Sequence, residues 1–179
     1  MKNQRLITII LSFFSLQILL TSCYGYNPRI RNHLSNEKNY HSYYGKICDI
    51  YYYDTENNKV SLLSSDDIPD CDVELQLSFD DPDTIEKFLG GKPNPELSLD
   101  EYNFVFRITK ENHQILSESG FYSLVSENTP IEITASSYIY MDSNYFFIAA
   151  VIYNETAYLG FEDGFKNIQQ YISENKSLL

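Results

Sequence analysis

The chain has 179 residues, of which 25 are acidic and 13 are basic, so its formal net charge is −12. With 43% hydrophobic and only 21% charged residues, it has the composition of a globular protein rather than a disordered one. The acidic balance argues against nonspecific binding to nucleic acid or anionic lipid, because such binding needs lysine and arginine to neutralise phosphate.

The first segment has the features of an export signal. Lys2 and Arg5 precede an apolar stretch over residues 6–20. That stretch is shorter than the roughly 20 mostly apolar residues that a membrane-spanning helix needs. A positive start, an apolar centre and small residues before a cleavage point are instead typical of a secretory signal peptide.

The signal ends in Leu20-Thr21-Ser22-Cys23. These four residues resemble the lipobox of bacterial lipoproteins, in which the invariant cysteine becomes the first residue of the mature chain. The resemblance implies that Leu20, Thr21 and Ser22 serve signal recognition. It also implies that Cys23 carries lipid through a thioether, so that fatty-acid chains anchor the protein in the cell envelope, outside the cytosol. Tyr24 in place of Asp after the cysteine favours the outer membrane if the cell has two membranes.

Removal of residues 1–22 takes away two basic residues, which leaves 11 basic and 25 acidic residues and a net charge of −14. The remaining length suits one domain. Residues 24–40 are polar with little apolar periodicity. We therefore predict a signal peptide over 1–22, a tether over 23–42 and a single globular domain over 43–179.

The first half of the domain shows strand and helix signals in series. A tyrosine-rich stretch over 44–53, turn residues at 54–58 and a short apolar stretch over 60–63 predict a hairpin. Strict alternation over 71–79 predicts a strand. Asp81 and Pro82 then predict the start of a short helix that ends at Gly90. Residues 102–108 alternate again, and the strand, helix and strand in series indicate one parallel crossover.

The last third predicts a meander of strands over 121–126, 131–141 and 145–153, with a tight turn at 142–144. Residues 145–152 are apolar at odd and even positions, which predicts a central strand covered on both faces. A helix with Asp163 as its cap and Phe165, Ile168 and Ile172 at helical spacing provides one cover. We predict an α+β fold, a mostly antiparallel sheet backed by one or two helices, with a β-sandwich as the alternative.

Cysteine and tyrosine supply the remaining candidate positions. Cys48 and Cys71 either form a disulfide, as the oxidising environment outside the cytosol allows, or remain two separate thiols. Tyr51, Tyr52 and Tyr53 are a candidate binding face, because exposed aromatic rings anchor protein interfaces. The competing interpretation is the ordinary preference of tyrosine for strands.

Residue patterns that carry catalysis are not recognisable. His33 and His41 lie in the predicted tether, and the acidic residues between 66 and 83 do not have the spacing of a calcium-binding loop. We therefore predict no catalytic residues, no cofactor and no metal site. The predicted function is a lipid-anchored, noncatalytic envelope protein that binds another protein or a cell-wall component, and not nucleic acid. The alternative is an immunity protein whose acidic surface inhibits a basic toxin.

Overall fold

A computed structural model describes residues 28–64, 68–140 and 143–175. The predicted signal peptide, with Leu20, Thr21, Ser22 and Cys23, lies outside the described residues. The elements in chain order are α1 (Pro28–Leu34), β1 (Tyr40–Tyr53), β2 (Lys59–Ser61), β3 (Val73–Ser78), α2 (Pro82–Leu89), β4 (Asn103–Ile108), α3 (Lys110–Glu118), β5 (Pro130–Tyr140), β6 (Ser143–Tyr153), β7 (Thr156–Leu159) and α4 (Phe161–Glu174).

Five strands close into a barrel in the order β1-β3-β4-β6-β5, and β5 pairs back onto β1. Neighbours are antiparallel except β4 and β6, which run parallel. The short strands β2 and β7 pair with the C-terminal ends of β1 and β6, respectively. Because the fourth barrel strand lies beside the first, the connections form a Greek key. The OB-fold has the same five-stranded Greek-key architecture, and architecture alone does not identify a function.

The prediction of an α+β sheet backed by helices is therefore wrong, and the β-sandwich alternative is closer. The strand β1 decides the difference, because its first half pairs with β5 and its second half pairs with β3. Because β1 pairs with both β3 and β5, the sheet has no free edge at these strands and closes into a barrel. The predicted parallel crossover is also wrong, since β3 and β4 are antiparallel.

A β-bulge in β1 makes this bend and changes which side chains face inward. The register with β3 shifts between Ile47 and Asp49, so Cys48 is the extra residue. Before the bulge Tyr43 and Ile47 belong to the barrel core, and after it Ile50 and Tyr52 pack there. A bulge moves the following residues to the opposite face.

Helices plug both ends of the barrel. At the end where β4 starts, α2 inserts Phe88, whose ring centroid lies 5.2 Å from that of Phe104 and 5.1 Å from that of Phe146. This helix has the predicted start and end: Asp81 is its N-cap, and Gly90 ends it in the left-handed conformation with φ 67°. At the end where β4 stops, α3 contributes Leu116 to the same core.

A second apolar layer lies outside the barrel, where α1 and α4 cover β5 and β6. Ile30 and Leu34 of α1 pack with Ile168 of α4 against Phe147 and Ala149 of β6. The prediction of a central strand over 145–152, covered on both faces, is confirmed for residues 146–151, which are all buried. Residues 28–42 of the predicted tether are folded, since they form α1, a 3-10 turn and the start of β1.

Two further elements differ from the prediction. The 3-10 turn Phe121–Ser123 lies where a strand over 121–126 was expected, and the helix α3, capped by Thr109, precedes it in a region where no element was predicted. The helix α4 begins at Phe161 with Gly160 as its N-cap, so Asp163 lies in its first turn instead of capping it.

Candidate binding pocket

A pocket of about 600 Å³ lies on the outside of the barrel where β1, β5 and β6 run side by side. Tyr44 of β1 pairs with Glu132 of β5, which pairs with Ile152 of β6. Directly paired residues lie on the same face of a sheet, so these three side chains form a row across the pocket. The other lining residues are Gly45, Lys46, Ser78, Asp80, Asp81, Pro130, Ile131, Asn154 and Glu155.

Tyr44 is the most exposed large hydrophobic residue among the described residues, with 74% of its surface accessible. Its hydroxyl group hydrogen-bonds to the Glu132 carboxylate, and that bond and the negative charge raise the pKa of Tyr44. The hydrogen bond ties the hydroxyl end of the side chain to the neighbouring strand while the ring stays accessible. An exposed aromatic ring held in this way is typical of an interface anchor.

Carboxylates dominate the charge of the pocket. The Lys46 ammonium forms an ion pair with Asp80 at 2.7 Å. Asp81 accepts a hydrogen bond of 3.0 Å from the Thr84 backbone N–H as the cap of α2, and the hydrogen bonds from Thr84 lower the pKa of Asp81. The three ion pairs found among the described residues do not include Glu132 or Glu155. Within the described part of the chain, the pocket therefore presents two carboxylates without an ion-pair partner.

Glu155 occupies an unfavourable backbone conformation at the edge of the pocket. Asn154 and Glu155 have φ values of 48° and 64° and form the two-residue turn between β6 and β7. Such a turn needs positive φ at both positions, for which Asn-Gly is the preferred sequence. A glutamate at the second position has a conformational cost that glycine would avoid.

We expect Glu155→Gly to stabilise the protein by up to about 1 kcal/mol, because it creates the preferred Asn-Gly turn. Urea denaturation followed by circular dichroism measures the change. Glu56→Gly is the matched control, since it removes the same charge from the β1–β2 turn, where the residue does not have positive φ. If both variants shift the unfolding midpoint equally, charge repulsion rather than backbone strain is responsible.

No protein-family model matches this chain, and comparisons with curated proteins and with solved structures found no similar protein. Over the described ranges, no helix is both long and apolar enough to cross a membrane. The same residues include no group of three or more His, Cys, Asp or Glu side chains placed to bind a metal ion. The interpretation of the pocket therefore rests on its own chemistry.

The three tyrosines predicted as a binding face do not share one face. Tyr52 packs toward the barrel core, whereas Tyr51 and Tyr53 point outward with ring centroids 5.8 Å apart. The Lys59 ammonium lies 3.8 Å above the Tyr51 ring, and Tyr51 is only 5% exposed. Tyr53 alone is half exposed. The alternation is that of any strand, and the bulge at Cys48 decides that Tyr52 is the tyrosine that faces the core.

Cys48 and Cys71 are separate thiols in this structure. The register places Cys48 beside Gln76 and Leu77, roughly 15 Å along β3 from Cys71. A disulfide requires Cα atoms within about 7 Å, so this fold does not allow the bridge. The Cys48 thiol lies 3.0 Å from the Asn103 side-chain oxygen. Burial and the neighbouring Asp72 raise the pKa of Cys71.

The histidines do not line the pocket. His113 is buried in α3, where Nε2 donates to the Pro69 carbonyl at 3.0 Å and Nδ1 accepts from the Tyr122 hydroxyl at 2.8 Å. Desolvation lowers the pKa of His113, so both bonds belong to the neutral ring. His33 stacks on Tyr138 with centroids 4.4 Å apart. Their contacts are structural ones between secondary-structure elements.

Proposed function

We propose that this protein is a lipid-anchored, noncatalytic binding protein of the bacterial cell envelope, and that the pocket at Tyr44 is its binding site. The observation that carries the proposal is an accessible aromatic ring beside the apolar side chain of Ile152 and two carboxylates that take part in none of the ion pairs of the described residues. A concave apolar surface with a few directed polar groups is the usual form of a ligand site.

The position of the anchor fits this role. Pro28, the first residue of α1, is five residues after Cys23, and five residues span at most about 18 Å. Because Ile30 and Leu34 fix α1 to the barrel, a lipid on Cys23 would hold the barrel close to the membrane surface. The anchor and the folded domain would then act as one body rather than as a domain on a long tether.

The charge distribution favours one orientation on the membrane. Residues 24–42 contain three basic residues and one acidic residue, a net charge of +2, whereas residues 43–179 contain 8 basic and 24 acidic residues, a net charge of −16. Anionic headgroups attract the basic segment and repel the acidic body. Every residue that lines the pocket belongs to this acidic body.

An immunity protein that inhibits a basic toxin is the second candidate function. The acidic pocket favours it, because charge complementarity accelerates the association of an inhibitor with its target. A gene for a basic toxin adjacent to this gene, together with a complex that weakens as salt concentration rises, would distinguish this function from that of a general envelope binding protein.

We expect Cys23→Ala to abolish lipid attachment completely and to leave the precursor unprocessed. The reason is that the thioether forms on the Cys23 sulfur, which alanine lacks. The test is metabolic labelling in a bacterial host with an alkyne fatty acid, followed by membrane fractionation. Cys48→Ala is the control and should keep its label. Label that persists in Cys23→Ala would contradict the proposed anchoring.

A further inference from the structure

We propose that the pocket receives an arginine side chain from a basic protein partner, with the guanidinium group against the Tyr44 ring and close to Glu132 and Glu155. This inference rests on the proposed binding function and specifies the chemistry of the ligand. It follows from three features of the pocket: its charge, its aromatic ring and its apolar floor.

The charge of the pocket selects a cation. Four carboxylates line it, those of Asp80, Asp81, Glu132 and Glu155, against the single ammonium group of Lys46. Asp80 and Asp81 already have partners in Lys46 and the first turn of α2. Glu132 and Glu155 take part in none of the ion pairs of the described residues, so an entering cation gains their attraction without breaking an existing pair.

The ring and the floor select a guanidinium group over a metal ion. Calcium takes six to eight oxygen ligands, whereas Pro130 and Ile152 give this pocket an apolar floor. A guanidinium group is planar and weakly hydrated, so it stacks on an aromatic face and forms paired hydrogen bonds with carboxylates. The alkyl stem of arginine covers apolar surface at the same time. Tyr44, 74% exposed, offers the required ring.

The surroundings of the pocket indicate that the arginine belongs to a protein. The body over residues 43–179 has a net charge of −16, which attracts a basic surface over a longer range than a single side chain requires. The pocket is also open and larger than one side chain needs, at about 600 Å³. Residues that flank the arginine in a partner would fill the remaining space.

The test is an NMR titration of the full-length, isotope-labelled protein with the peptide acetyl-Gly-Arg-Gly-amide. The same peptide with citrulline in place of arginine has nearly the same shape and no charge. We expect the arginine peptide to shift the amide signals of residues 44, 132, 152 and 155, and the citrulline peptide to leave them unchanged. Soluble cell-wall muropeptides are the third probe and should not shift these signals.

Two substitutions test the roles of the ring and of the charge. Tyr44→Ala and Glu132→Gln should each weaken binding of the arginine peptide about fivefold, the size of a cation–π contact or of a charge-assisted hydrogen bond. Tyr53→Ala and Glu118→Gln make the same changes at other exposed positions and should change binding less than about twofold. The amide spectrum of each variant shows directly whether it remains folded.

Three results would overturn the proposal: equal shifts with the citrulline peptide, equal weakening by Glu132→Gln and Glu118→Gln, or stronger shifts of the pocket signals by muropeptides than by the arginine peptide. The first two would show that the pocket does not recognise the guanidinium charge, and the third would identify a wall ligand. None of them affects labelling at Cys23, so failure of the arginine site is distinguishable from failure of the proposed anchored function.

Discussion

Gly164→Ala should destabilise the protein by at least about 3 kcal/mol, because this position has no space for a methyl group. A Cβ atom added to Gly164 would lie 2.0 Å from the carbonyl oxygen of Ala149 and 2.7 Å from its carbonyl carbon. Both atoms belong to the backbone of β6, in the middle of the barrel wall. A side chain could rotate away from such a clash, but a buried strand cannot.

The helix α4 would have to move outward by about 1 Å or more to restore an ordinary contact distance. That movement separates Ile168 and Ile172 from Phe147, on the outer apolar layer. It also stretches the 3.2 Å hydrogen bond from the Asn112 amide to the Gly164 carbonyl. Overpacking of this kind typically costs about 1–3 kcal/mol, and a clash between two backbones lies above that range. Such a loss is a large part of the total stability of a domain.

Urea unfolding curves of the purified protein measure this effect. Gly160→Ala is the matched control, because Gly160 begins the same helix and a Cβ atom there meets nothing within 4 Å. The control should cost less than about 1 kcal/mol, the typical effect of an unfavourable N-cap residue. A Gly164→Ala variant as stable as Gly160→Ala would show that α4 does not pack against β6 as closely as the structure has it.

Local signals in the sequence were sufficient for several elements. The cap Asp81, the following Pro82 and the terminal Gly90 are the N-terminal and C-terminal signals of α2, and each acts within a few residues. Strict alternation predicted β3 and β4, because each strand has one face toward the barrel core. These predictions were correct because the forces that decide them are short in range.

Closure of the barrel depends on contacts that the local pattern does not contain. Tyr40 of β1 pairs with Ser136 of β5, almost one hundred residues later in the chain. The bulge at Cys48 that redirects β1 is a single extra residue without a characteristic sequence. The helix α3 was missed because it buries Asn112 and His113, two polar residues that weaken its apolar periodicity.

The pocket was not predicted because it also depends on contacts between distant parts of the chain. Tyr44 belongs to the tyrosine-rich stretch that drew attention to β1, but Glu132 and Ile152 lie on β5 and β6 and join it only through strand pairing. Tyr51 and Tyr53 have the same residue type, yet the bulge and the covering Lys59 give them different surroundings. Residue type indicated a binding role for tyrosine, and only the fold distinguishes which tyrosine can serve it.

Phe88→Ala should destabilise the protein by about 3–5 kcal/mol, the usual cost of removing a large aromatic side chain from a core. The Phe88 ring lies within about 5 Å of five others at the end of the barrel where β4 starts. They belong to Tyr43, Phe79, Phe104, Phe106 and Phe146, and they come from four barrel strands or the residues next to them. The cavity would lie where these strands converge, so no single neighbour can move to fill it.

Leu89→Ala is the control in the same helix, because Leu89 is adjacent to Phe88 but 40% exposed. Its cost should stay below about 1 kcal/mol, and a loss of similar size in the two variants would contradict the role of α2 as the plug of the barrel.

Phe88→Ala should also weaken ligand binding in the pocket. Asp81 caps α2 and Asp80 precedes the cap, so a loosened helix displaces both carboxylates and frees Lys46 from its ion pair.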